Sequence, residues 1–129
     1  MPGAETGRLI EEATRSFEEA ARKADRPDAI LVGWGDLLAG KAWLAEGAER
    51  VRLLQEARNK YAEFESRRPG SAAYDLACVA ARLGEPDQCR QWLEKSREPG
   101  IRISADRMAG DPAVASVREC DWFGRLLAK

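Results

Sequence analysis

The side chains that most often perform covalent or acid–base chemistry are sparse in this chain and poorly spaced for it. There is no histidine among 129 residues, which removes the commonest general base and the commonest transition-metal ligand together. Cys78, Cys89 and Cys120 match no CxxC metal or redox spacing. They read as small apolar fillers of a core, a regulatory thiol or disulfide being the other use open to them. The carboxylate pairs Glu11/Glu12 and Glu18/Glu19 fall on the polar face of an amphipathic pattern. They read as a solvated face there, whereas acid catalysis needs a carboxylate perturbed by burial or by its neighbours. Gly33-x-Gly35 sits inside a helical pattern with no strand before it, so it does not form a phosphate cradle. Arg50/Arg52 and Arg67/Arg68 are interleaved with Glu and build no basic stripe for nucleic acid. The expectation is a chain that is not an enzyme and holds no metal or cofactor.

Composition bounds the class. The 44% hydrophobic content supports a core, and 33% charged residues, 21 basic against 22 acidic, give a net charge of −1. That balance carries no global pull toward nucleic acid or anionic lipid. No apolar run approaches the ~18 residues of a membrane span. The start, MPGAETGRLIEE, has no basic segment followed by an apolar one and predicts no secretory signal. A cytoplasmic chain that folds as a single domain over 1–129 is expected.

The elements that must position any site are helical almost throughout. Ile10, Ala13, Phe17, Ala20 and Ala24 recur at helical spacing and predict an amphipathic helix over 5–24. A second helix is expected over 28–45, with Leu31, Trp34, Leu38, Ala42 and Ala45 inward. Its glycines 33, 35 and 40 suggest close packing or a kink. Gly47 marks a reversal. A third helix over 48–67 turns Val51, Leu54, Ala57, Tyr61 and Phe64 inward and carries Glu56–Lys60 and Glu63–Arg67 as i,i+4 pairs. Ser71 is expected to cap an alanine-rich helix over 72–83. Leu83-Gly84-Glu85-Pro86 stops that helix and starts the next, over 86–97. Beyond it, Ser104 caps a short helix, Asp111-Pro112 opens another, and Asp121 caps a last one bearing Trp122, Phe123, Leu126 and Leu127.

Overlaying the hairpins exposes a repeat. Leu31-x2-Trp34-Gly35-x2-Leu38 opens one pair, and Ala73-x2-Leu76-Ala77-x2-Ala80 opens the next. Ala57-x3-Tyr61 and Cys89-x3-Leu93 occupy the matching second helices, and Pro69 closes the first unit. Ala13-x3-Phe17 repeats the second-helix signature. The pattern resembles the tetratricopeptide repeat (TPR), with its period of 34 residues. The resemblance covers 5–97: a partial first repeat at 5–24, a lengthened repeat at 28–68 and a full repeat at 71–97. Residues 104–129 are similar to the capping helices that close such arrays. Trp34 to Ala57 is ten residues longer than Leu76 to Cys89, which predicts two lengthened helices with a projecting tip at Trp43, Leu44 and Gly47.

The resemblance implies an all-α, right-handed superhelix of antiparallel helix pairs, six to seven helices in all. It also implies a non-enzymatic module or adaptor that binds a partner protein or peptide on its concave face. Carried over by position, that face would present Val32 and Asp36 from one first helix and Tyr74, Asp75, Cys78 and Arg82 from the next. The basic and amide side chains of a chaperone-type carboxylate clamp are missing from those positions. The alternative is a structural homo-oligomer. It would assemble through the uncovered first helix (Ile10, Phe17) or through the tip (Trp43, Leu44), because solenoid ends without polar caps self-associate.

Overall fold

The computed structural model describes residues 2–23, 27–101 and 103–128, with no side-chain description at 2–7, 17, 20–23 and 27–29. Eight helices and no strand occur among the described residues: α1 (Pro2–Lys23), α2 (Pro27–Ala42), α3 (Gly47–Arg67), α4 (Ala73–Arg82), α5 (Pro86–Ser96), α6 (Ala105–Gly110), a 3-10 helix (Pro112–Val117) and α7 (Asp121–Leu127). The chain divides into two compact units, Met1–Arg67 and Arg68–Lys129.

In the first unit α2 packs against both α1 and α3. A helix between two neighbours needs apolar surface on two sides, and between Ile30 and Ala42 only Asp36 and Gly40 are exposed. Leu31, Leu38 and Ala42 are buried from α2, and Leu53, Leu54, Ala57 and Tyr61 from α3. The Tyr61 ring rests on Gly35, where a β-carbon would stand 2.7 Å from Cε1. Close packing therefore accounts for Gly35, while Gly40 faces open space. Gly47 (φ +57°) makes the reversal. Arg50 Nε then donates to the Ala42 and Ala45 carbonyls at 3.3 and 2.9 Å, closing the carbonyl end of α2 with a cation.

Several sequence expectations change in this unit. Val51 is exposed and Leu53 takes the inward place, because the face of α3 that meets α2 runs through 53, 54, 57 and 61 and leaves 51 outside it. Phe64 is half-buried, and Ala45 lies beyond the end of α2. Glu56 receives Arg52 at 2.6 Å, while Lys60 lies 3.8 Å above the Trp34 ring. Glu63–Arg67 forms as expected, at 3.6 Å.

The second unit is built on the α4–α5 hairpin. Ala73, Ala77, Ala80 and Ala81 are all buried, and their small size lets α5 and the 3-10 helix pack on α4. Gly84 (φ +76°) ends α4: its N–H donates to Ala81 O at 3.1 Å and that of Glu85 to Ala80 O at 2.9 Å. This is the paired helix-ending pattern that favours glycine. Pro86 then opens α5. Met108, Val114, Val117, Phe123 and Leu126 join Tyr74, Cys89 and Leu93 in one core, so residues 104–127 are an integral wall of this unit.

The caps mostly follow the sequence. Ser104 accepts from Arg107 N, and Asp111 accepts from Ala113 N. The element that Asp111 opens is a 3-10 helix. Two caps differ. Ala72 stands at the N-cap of α4 without a side-chain bond, and Ser71 lies one residue earlier, in the preceding turn, where its N–H donates to Arg68 O. Cys120 is the N-cap of α7, which makes Asp121 its first helical residue. The lengthened hairpin is present: α2 and α3 have 16 and 21 residues against 10 and 11 for α4 and α5.

Candidate protein-interaction surface

The residues carried over from the repeat pattern fall into distinct environments. On α2, Val32 is half-buried and Asp36 is exposed, and Asp36 Oδ1 accepts the Tyr61 hydroxyl at 2.6 Å. On α4, Asp75 and Arg82 are half-buried. Tyr74 is only 6% exposed, and its hydroxyl donates to Asp111 Oδ2 at 2.7 Å. The Arg107 guanidinium lies 4.7 Å above the Tyr74 ring. Cys78 Sγ is 3.9 Å from the same carboxylate oxygen. The structure thus brings Tyr74 and Cys78 together under Asp111, and the chain itself supplies their polar partner.

Burial, reinforced by the Asp111 carboxylate, pushes the Cys78 thiol up to about 12. Burial, with Cys120 nearby, does the same to Cys89. The Tyr74 phenol is raised as well, first by burial and then by its hydrogen bond to Asp111. A nucleophilic cysteine needs the opposite, a depressed pKa and access to solvent. All three cysteines are free thiols. No group of three or more Cys, Asp and Glu poised to hold a metal occurs among the described residues. No helix of the described residues is long and apolar enough to cross a membrane.

The tryptophans expected in the repeat core, Trp34 and Trp92, are half-buried. Trp34 and Leu38 floor an open cleft of about 280 Å³ between α1 and α3, walled by Thr14, Glu18, Glu56, Asn59 and Lys60. Trp92 packs against the second unit's core. Trp122 meets Phe123 edge-on at 6.0 Å and flanks the same core.

The exposed apolar surface is concentrated. Leu9 (55% exposed), Trp43 (51%), Leu44 (56%) and Val51 (46%) are the large hydrophobic side chains left open among the described residues. All four lie at one end of the first unit. Helices α1 and α2 run antiparallel, with Lys41 Nζ 3.1 Å from Glu11 Oε1. Carrying that register two residues further places Leu9 level with Trp43. Leu44 occupies the turn after α2, and Val51 lies in the second turn of α3. Ile10 is half-buried, and the Phe17 side chain lies outside the described residues. The pattern of α1 contains the signal for Leu9, an apolar residue off the Ile10–Ala13 stripe. Val51 is not recoverable that way, because it shares the apolar spacing of α3 while the face that meets α2 runs through 53, 54, 57 and 61 and leaves it exposed.

Protein-family models, curated proteins and solved structures contain no match to this chain.

Proposed function

We propose that this chain is a non-enzymatic protein-interaction module of TPR-like helical hairpins, which engages a partner protein through the apolar end formed by Leu9, Trp43, Leu44 and Val51. The observation that carries the reading is the exposure of these four side chains, which the register of α1 against α2 places toward one end of the first unit. Four large side chains, each about half exposed, present on the order of 400 Å², the scale at which the largest patch on a monomer is commonly functional. Tryptophan is also the residue type most enriched at the energetic centre of protein interfaces. The α4 face is less favoured as a docking surface: Tyr74 is covered and already bonded to Asp111. Against covalent catalysis stand the elevated Cys78 and Cys89 thiols.

The superhelical arrangement of the hairpins belongs to this proposal. It is supported by small or absent side chains where helices cross: Gly35 under Tyr61 and the buried alanines of α4.

The test is direct binding with purified components. A protein recovered on the wild-type chain should bind it in isolation and be lost with Trp43→Glu/Leu44→Glu. Both positions are exposed, so the double variant should melt within about 2 °C of wild type. A folded double variant that retains every partner rules this surface out. Retention by that variant together with loss on Asp75→Lys/Arg82→Glu would move the site to α4.

A further inference from the structure

We infer that the cleft over Trp34 is a separate recognition site, which takes a primary alkylammonium group, whether from a lysine side chain or from a free amine. Trp34 and Leu38 floor this open cleft of about 280 Å³, and its walls carry one carboxylate from each flanking helix, Glu18 of α1 and Glu56 of α3. Both carboxylates are half-buried. An anionic ligand would meet two like charges there, and an uncharged one would leave the negative face of the indole unused.

The chain itself shows which chemistry the floor accepts. Lys60 of α3 holds its Nζ 3.8 Å from the centre of the Trp34 ring, close enough for an ammonium to rest on an indole face. For comparison, Lys95 stands 5.7 Å from Trp92. Lys60 is thus a tethered stand-in for the ligand, and an incomplete one. Among the described residues it is ion-paired with neither Glu18 nor Glu56, and Glu56 already receives Arg52 at 2.6 Å. A free ligand is not bound by the geometry of α3. Its ammonium can reach the ring and Glu18 together while its methylene stem lies on the apolar floor. Lys60 then acts as a competitor, a half-buried side chain that must leave the ring before the ligand enters.

Nuclear magnetic resonance of the isotope-labelled full chain tests this through the indole N–H signal of Trp34, identified by its loss in Trp34→Phe. Lysine capped at both ends, pentylamine and the equally capped norleucine, which lacks the ammonium, are titrated in turn. The two amines should shift the signal saturably, with Kd on the order of 1 mM, and norleucine should not. Lys60→Ala should tighten binding about two- to fivefold by removing the competitor. Lys95→Ala removes the same charge in the second unit and should leave Kd unchanged. Glu18→Gln should weaken binding about threefold. Tighter binding of capped lysine assigns the site to a protein partner and tighter binding of pentylamine to a free amine; either ranking upholds it. The inference is overturned by a signal that does not saturate, by norleucine binding as well as the amines, or by Lys60→Ala weakening the amines.

Discussion

The Tyr61 ring occupies the space that a side chain at position 35 would need. A β-carbon on Gly35 would lie 2.7 Å from Tyr61 Cε1 and 2.9 Å from Cδ1, while the Tyr61 hydroxyl is anchored on Asp36 at 2.6 Å. The ring can neither retreat along its axis nor rotate away without breaking that bond. The crossing of α2 and α3 is therefore set by one absent side chain and one hydrogen bond.

Gly35→Ala should destabilise the first unit by about 1–3 kcal/mol through overpacking, although alanine is the better helix former by about 1 kcal/mol. Gly40→Ala, in the same helix but facing open space, should stabilise by about 0.5–1 kcal/mol. Urea unfolding of the two variants checks the opposite signs. Two stabilised proteins would mean that Tyr61 does not sit on Gly35.

Asp111 links two parts of the second unit that are distant in sequence. Its Oδ1 accepts from Ala113 N at 2.9 Å and its Oδ2 from the Tyr74 hydroxyl at 2.7 Å. Asp111→Ala should cost about 2–3 kcal/mol, combining a lost cap with a buried hydroxyl left without its acceptor. Tyr74→Phe should cost less, and the double variant should fall short of the sum by about 1 kcal/mol. Thermal melts of all four proteins close the cycle; strict additivity would place the two groups out of contact.

The Cys78 and Cys89 thiols, both held up to about 12 in the fold, make stability depend on alkaline pH. A group whose pKa is higher folded than unfolded contributes stability that is full below its unfolded value, near 8.5. That contribution declines as pH rises toward the folded value, because the unfolded chain sheds the proton first. The urea midpoint should thus be flat from pH 7 to 8 and fall between pH 8.5 and 10. Cys89→Ala, whatever its cost at pH 7, should flatten the fall. An unchanged slope in that variant would remove Cys89 from the effect.

Two turn glycines should respond unequally. Gly84 (φ +76°) has open space around it, so Gly84→Ala carries backbone strain of about 1 kcal/mol. Gly70 (φ +92°) has Ile101 Cδ1 2.5 Å from the site of an added β-carbon. Gly70→Ala therefore adds a clash to the strain and should lower the melting temperature more than Gly84→Ala. The reverse order would argue that Ile101 is not seated on that turn.

Most of the helical framework was legible because its signals are local. Leu83-Gly84-Glu85-Pro86 both ends and starts a helix within four residues, by a positive φ and a missing N–H. Ser104 and Asp111 cap because their side chains reach N–H groups two or three residues ahead. The lengths of α2 and α3 follow from the distance between such punctuation marks, and Trp43 and Leu44 stand at the tip for the same reason.

What lay outside the sequence depends on which face of a helix a second helix covers. Val51 and Leu54 share the apolar spacing of α3, yet Val51 is exposed and Leu54 covered, because the face that meets α2 runs through 53, 54, 57 and 61. Trp34 has the position of a core aromatic but floors an open cleft between α1 and α3. Asp111, read as a cap, also binds Tyr74, and Tyr74, read as a surface contact, is buried beneath it. Short-range chain stereochemistry determines the helices and their stops by itself. Which faces remain bare is decided by long-range burial, since exposure of a side chain depends on neighbours that its own helix does not encode.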